Sequence, residues 1–436
     1  MLAAVAARGA AGWAGSYLRR SRHGRSKARE RVMLRTADDV ARTMGDMKGV
    51  AMKVGQILSL MNGAVPEGVA DRMAELQSNA PPMAPGLVER VIREELGERP
   101  RAIFRHFEME PFAAASIGQV HRGVLADGTA VAVKVQYPGV REAIEHDLAN
   151  VGLLFGLAGM VAKGLDTGPI IRDLEEGIGN ELDYRREAAN QQRFGAIFAG
   201  HPFIVVPRVF PELSTSRVLV QEFVAGKPFA AARSLPQADR DHVAEIIFRF
   251  TFGCMHRFGL FQGDPHAGNY LLLPGGRVAF LDYGCVVEFS EERRQQLNAM
   301  IGGVVTGDLE AWRAGMVEVG YVPGDLPLTT DELWEHMRIY YSFILEDGVR
   351  FTPELAGALV RHNLALNGAV GRVNRQLNIP GGMVFTQRIN FGFTGLMAAV
   401  EAAGPWKGIT EEYVLGRGPV TRLGEASRRA MGDNWV

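Results

Sequence analysis

Two short polar motifs separated by a hairpin constrain this chain more than anything else in it. The first is Gln262-Gly263-Asp264-Pro265-His266-Ala267-Gly268-Asn269 and the second is Phe280-Leu281-Asp282-Tyr283-Gly284. Between them, Tyr270 to Leu273 and Val278 to Leu281 flank Pro274-Gly275-Gly276, a pattern that predicts a tight β-hairpin. A hairpin folds the chain back on itself, so the two motifs are expected side by side. Gly-Asp-Pro or Asp-Tyr-Gly alone is an ordinary turn. Order, separation by a hairpin and the five-position interval from Asp264 to Asn269 make the combination specific. Phosphoryl transfer from ATP needs a carboxylate to orient the attacking hydroxyl or water. It also needs an amide oxygen and a second carboxylate to hold cations against the phosphate charge. Asp264 is the candidate for the first role, Asn269 and Asp282 for Mg²⁺.

The upstream sequence supplies what such a site lacks. Lys134 lies in Val131-Ala132-Val133-Lys134-Val135, a strand pattern that would hold an ammonium group among apolar neighbours, and such a lysine needs anionic company. The bland alternative is a solvated lysine on an edge strand. Gln119 to Leu125 and Thr129 to Tyr137 read as paired strands around Asp127-Gly128. Before them, Ala113, Ala114, Ala115, Ser116, Gly118 and Val120 stand where a phosphate-covering loop is expected. Small side chains let backbone amides approach phosphate, although alanine resists the positive φ that glycine accepts. A helical stretch from Val140 to about Phe198 and strands near Val205 to Val209 and Arg217 to Phe223 follow. Asp239 onward is mainly helical. The fold class is therefore α+β: a bilobal protein-kinase-like fold with an N-terminal helical extension and a mainly helical C-lobe. Glu222 to Gly226 occupies the hinge position, where backbone groups, at Glu222 and Val224 in particular, can pair with adenine.

Four signatures in this order resemble the UbiB/AarF (ADCK-type) family of atypical kinases: Lys53-Val54-Gly55-Gln56, the alanine stretch, Glu181-Leu182-Asp183-Tyr184 and the Gly-Asp-Pro-His motif. The resemblance runs from about Gly49 to Val286 and departs at Ala267, where the family commonly has proline. It implies that Lys53 and Gln56, carried on a helix of the extension, enter the nucleotide site and obstruct a protein substrate. It also implies contact between that helix and Glu181 and Asp183. Either Glu181 or Glu187 could pair with Lys134; spacing leaves both open, since Asp183 and Glu187 share a helical face while Glu181 points elsewhere. The resemblance further implies ATP and Mg²⁺ as cofactors and a role in isoprenoid quinone biosynthesis, with an isoprenoid lipid or quinone precursor as partner. A homodimer or a quinone-biosynthesis complex belongs to the same expectation. So does a cytoplasmic, peripherally membrane-associated location in a bacterium, or the mitochondrial matrix side in a eukaryote.

Composition narrows the partners. A formal net charge of −1 argues against nucleic acid. A basic arm with Arg19, Arg20, Arg22, Arg25, Lys27, Arg29 and Arg31 favours an anionic membrane surface, at roughly 1 kcal/mol per basic residue. A solvated terminus explains it equally well, and the alanine-rich start interrupted by Arg8 makes a poor secretory signal. The best apolar run, Val151 to Ala162, is about half the length of a span. Two cysteines exclude a disulfide framework. The expected layout is a basic arm (1–43), a helical extension (44–103), an N-lobe (104–225), a C-lobe (226–415) and a polar tail (416–436) that frays. Two other readings compete with the enzyme: a nucleotide-switched, non-catalytic lipid-binding or assembly module, and a Ser/Thr protein kinase. The second lacks an Ala-Pro-Glu activation segment.

Overall fold

The computed structural model describes residues 82–432 except 116, 143, 145–178, 180, 181, 364, 366, 367, 379 and 381–391. The basic arm, the expected helices of the extension with Lys53 and Gln56, Ser116, the Val151 to Ala162 run and Glu181 lie outside the described residues. The chain divides into two compact units, Met1–Leu154 and Phe155–Val436. A mixed α/β N-terminal region precedes a largely helical C-terminal one, as a bilobal kinase-like fold requires.

In the first unit, α1 (Pro85–Leu96) starts with proline in its first turn and stops at Gly97, whose φ of 80° lets its N–H reach the Arg93 carbonyl. Its buried stripe of Val88, Val91 and Ile92 faces the sheet. A short turn of helix, α2 (Pro100–Ile103), leads into β1 (His106–Phe107), β2 (Ala113–Ala115), β3 (Gly118–Val124) and β4 (Ala130–Gln136), all antiparallel where paired. The Asp127-Gly128 turn is where the sequence puts it: Gly128 has φ 91° and Asp127 accepts from the Thr129 N–H at 2.9 Å. The alanine stretch is not a loop. Ala113–Ala115 pair antiparallel with Gly118–Val120, so the stretch is a strand against β3.

The named elements among the second unit's described residues begin with α3 (Tyr184–Ile197), β5 (Ile204–Val205), β6 (Val218–Glu222) and β7 (Lys227–Pro228). Then come α4 (Gln237–Gly253), β8 (Leu260–Gln262), β9 (Tyr270–Leu273), β10 (Arg277–Phe280) and β11 (Val286–Glu288). The hairpin β9–β10 turns on Gly275 and Gly276 at φ 76° and 69°. β5 adds to β10 in parallel, β7 to β9 antiparallel, and β8 pairs with β11. Phe250 of α4 stacks on Phe280 with ring centroids 3.7 Å apart, which fixes the hairpin to the helical core.

The rest is helical: α5 (Glu291–Thr306), α6 (Leu309–Val319), α7 (Thr330–Met337), α8 (Pro353–Asn363), α9 (Gly368–Asn374), α10 (Thr394–Ala399), α11 (Trp406–Val414) and α12 (Arg422–Met431). α5 and α6 approach so closely that a Cβ on Gly303 would sit 2.6 Å from the Trp312 amide nitrogen.

The described part of the polar tail, expected to fray, forms a capped helix instead. Thr421 caps α12 by accepting from the Gly424 N–H, and Thr421 Oγ1 itself accepts from Arg249 of α4 at 2.8 Å. Arg249 is buried and bonds Glu245 at 2.7 Å and both carboxylate oxygens of Glu412 at 2.7 and 3.0 Å. The arginine-rich composition of the tail concealed this, because the partners lie more than 160 positions away. His201 adds a second tie. Its Nδ1 accepts from the Phe203 and Ile204 N–H groups, so Nε2 carries the proton and donates to Ser427 at 3.2 Å.

Two predictions follow from these ties. Truncating Glu412 to alanine strands a buried guanidinium and should cost about 3–5 kcal/mol in urea denaturation. Burial, with Arg249 and Arg257 nearby, holds the His201 pKa at about 3, below the ordinary 6.5. The unfolded chain therefore binds a proton that the fold refuses, and His201 should remove up to about 1.4 kcal/mol of stability per pH unit as pH falls from 6.5 toward 3. His201→Gln should flatten that slope in unfolding curves recorded across the window.

Candidate functional site

The site residues belong to two units and are built separately. In the first, the register pairs Val120 with Lys134 and Gly118 with Gln136, which puts Lys134, Val120 and Ala132 on one face of the β3–β4 ribbon. Lys134 is buried, unlike a solvated edge lysine. Gly118 cannot be replaced by alanine without a collision: the added Cβ would stand 2.3 Å from the Val135 carbonyl oxygen. That contact lets β2 and β3 turn tightly beside the strand that carries the lysine.

In the second unit, strand pairing brings the two motifs together. β8 ends at Gln262 and β11 starts at Val286, paired residue to residue, and the Gly263 N–H donates to the Cys285 carbonyl at 2.7 Å. At the other end, the Leu281 N–H donates to the Asn269 carbonyl at 3.0 Å. The Asp264 loop and the Asp282 turn are thus tied at both ends. Asn269 closes the five-residue interval itself, donating from Nδ2 to the Asp264 carbonyl at 2.9 Å, which turns its Oδ1 the other way. His266 donates its N–H to the same carbonyl and accepts from the Gly268 N–H at Nδ1, so it shapes the loop. Asp282 Oδ1 accepts from the Gly284 N–H at 3.0 Å, and its carbonyl accepts from the Gln262 side chain. Asp264, Asn269 and Asp282 are all half-buried.

Burial pushes the Tyr270 pKa far up, and the charges of Asp264 and Asp282 push it further, so both lie within electrostatic reach of the Tyr270 ring. Tyr283 is buried, donates to the Phe280 carbonyl at 3.0 Å and packs its ring against Phe194 of α3. Asn190 of α3 donates to the Tyr283 carbonyl at 3.1 Å. Glu187, buried on α3 one turn before Asn190, is among the charges that raise the Tyr283 pKa after burial. The sequence places Gln262 in the first motif and Tyr270 in the hairpin without a role for either side chain, and it does not mark Asn190 as part of the site. Asn190 stands three residues after Glu187 on one helix face.

Asp183 needs a correction. It stands outside the helix as the N-cap of α3, extended at φ −124° and ψ 101°, and accepts from the Arg185 N–H at 3.0 Å. The helical spacing used to put it on one face with Glu187 therefore does not apply, because an N-cap aspartate turns its carboxylate back onto the first turn. Glu222 ends β6 exposed, with its N–H donated to the Arg208 carbonyl at 2.7 Å. Val224 is half-buried, and at Gly226 a Cβ would meet Leu273 Cδ2 at 2.8 Å, so glycine permits β7 to lie along β9.

Among the described residues no group of three or more His, Cys, Asp and Glu could hold a metal ion. One carboxylate with an amide oxygen still suits Mg²⁺, which takes one or two protein oxygens and fills its octahedron with water and phosphate. The donor set fits the ion.

The description "ABC1 atypical kinase-like domain" matches residues 75–315. The chain is similar to the protein named "Atypical kinase COQ8B, mitochondrial" of Rattus norvegicus, 35% identical over 274 residues, covering 62% of this chain and 52% of that one. It is similar to "Atypical kinase COQ8, mitochondrial" of Saccharomyces cerevisiae, 31% identical over 291 residues, covering 66% and 58%. The chain thus spans about half the length of these curated relatives. A solved structure, that of Rv3197 with erythromycin from Mycobacterium tuberculosis, matches with a TM-score of 0.64 and 30% identity, covering 89% of this chain and 98% of that one.

Gly118→Ala should lower stability by about 1–3 kcal/mol, because the blocking atom is backbone. Gly123→Ala, whose Cβ meets the Val131 side chain at 3.1 Å, should cost less in the same thermal unfolding assay.

Proposed function

Because this chain belongs to the ABC1 atypical kinase-like family, we propose that it is a Mg-ATP-dependent phosphotransferase or ATPase. In this reading Lys134 binds the α- and β-phosphates and the hairpin from Ala113 to Val120 covers them. Val120 and the backbone at Glu222 and Val224 receive the nucleoside. Asn269 and Asp282 hold Mg²⁺, which neutralises phosphate charge when bound. Asp264 orients the attacking hydroxyl or water. The observation that carries the reading is the closed loop of Asp264 and Asn269 tied at both ends to the Asp282 turn. It preorganises a carboxylate base and a cation-binding pair before any ligand arrives.

The acceptor follows from the family signature. Lys53 and Gln56 enter the proposed site from the extension, with Glu181 or Glu187 as ion-pair partner of Lys134, and so obstruct a protein substrate. A small isoprenoid molecule, a lipid or water is the acceptor, in support of quinone biosynthesis, and the basic arm rests on anionic lipid. No helix of the described residues is long and apolar enough to cross a membrane. A second reading has its own support: the solved relative is recorded with erythromycin, a large ligand, which suits a nucleotide-switched binding module.

The test is Mg-ATP hydrolysis by the purified chain with and without anionic liposomes, beside Asp282→Asn. Turnover stimulated by lipid and reduced roughly 10²–10³-fold in the variant is expected. No turnover in either protein, with nucleotide still bound, would establish the binding module instead.

A further inference from the structure

β3 carries two polar side chains where a core strand needs none. Gln119 and His121 are two residues apart, so they share the face of the ribbon opposite Val120 and Lys134. They are 1% and 0% exposed. Buried polar groups are costly unless hydrogen-bonded, and here they bond in one continuous chain. The Met83 N–H donates to Gln119 Oε1 at 2.7 Å. Gln119 Nε2 stands 2.9 Å from His121 Nε2, and His121 Nδ1 stands 2.9 Å from the Glu108 carbonyl.

The direction of each bond is forced. An amide N–H can only donate, so Met83 fixes Gln119 with its oxygen toward α1 and its NH₂ toward the histidine. That NH₂ can only donate, so His121 Nε2 must be unprotonated. The carbonyl of Glu108 can only accept, so Nδ1 must carry the proton. One neutral tautomer satisfies the chain, and a second proton on the ring would oppose the Gln119 NH₂. Phe107 of β1 stacks on the ring with centroids 5.2 Å apart. Burial holds the ring's pKa below the ordinary value, against the Glu108 carbonyl, which pulls it up.

We propose that Gln119 and His121 are positioning residues that form a latch, fastening the entry of α1 at Met83 to the strand bearing the phosphate hairpin. Met83 is where the chain arrives from the stretch containing Lys53 and Gln56, and Gln119 is one residue past Gly118. The latch joins these two points through the Gln119 side chain and lies on the face of the ribbon opposite Lys134. It sets the hairpin's position from behind. The inference rests on the proposed function only in taking the hairpin's ligand to be a nucleotide.

The test uses the full chain labelled with ¹⁵N at histidine, hydrogen exchange of the peptide spanning Met83, and binding of a non-hydrolysable ATP analogue. At neutral pH the unaltered His121 should show a protonated Nδ1 and a bare Nε2. Gln119→Leu should speed exchange at Met83 roughly tenfold and weaken binding of the analogue, while Val131 and Val133 stay protected. Gln119→Glu keeps the Met83 bond but presents a carboxylate to Nε2, so the His121 titration should move to higher pH. This variant carries the test if Gln119→Leu does not fold. A proton on Nε2 in the unaltered chain, or unchanged exchange and affinity in Gln119→Leu, would overturn the latch. Intact latch signals in a chain that binds no analogue would uphold the tie to α1 and refute the nucleotide reading.

Discussion

The hydrogen bond from Asn269 to the Asp264 carbonyl sits at the point on which the geometry of the Asp264 loop and the Asp282 turn depends. It spans five residues and needs both ends of the loop in place. β8 supplies one end by pairing with β11, and the β9–β10 hairpin supplies the other. Those strands are short, and short strands hold only when their side chains are packed. Phe261, Tyr270, Phe280 and Tyr283, all fully buried, provide that packing. The polar residues that a ligand would meet are therefore held by an aromatic layer beneath them, and preorganisation is a property of the core.

Much of this was legible in the sequence, and the reasons are local. The β9–β10 hairpin, the Asp127-Gly128 turn and the strand carrying Lys134 are marked by turn residues and alternation that need no knowledge of distant segments. Asp183 shows a local signal outweighed by a pattern argument: an aspartate just before a helical run favours the N-cap, and the four-residue spacing to Glu187 was the weaker cue. The alanine stretch shows a different limit. Its position before the paired strands suggested a loop, yet pairing with β3 makes it a strand, because a neighbouring strand can override a weak intrinsic preference.

What could not be read depends on long-range pairing. Arg249, Glu412 and Thr421 look like surface residues one at a time, and nothing in their spacing announces a shared buried site. Replacing such a network with apolar residues can be neutral or stabilising in other proteins. Stability alone is therefore a poor account of why charges occupy this position. Geometry gives a better one: a guanidinium that must satisfy Glu245, Glu412 and Thr421 together admits one placement of α12 against α4.

That placement has a consequence for the order in which the chain matures on the ribosome. α4 is synthesised well before α11 and α12, and its Arg249 is destined for the interior. Until the segment from Glu412 to Thr421 has emerged, the guanidinium lacks most of its final partners, and burying it would be costly. Closing α4 into the interior from the amino-terminal side alone would leave Glu245 as the arginine's main partner. Completion of the buried network is thus coupled to a stretch translated about 170 residues later.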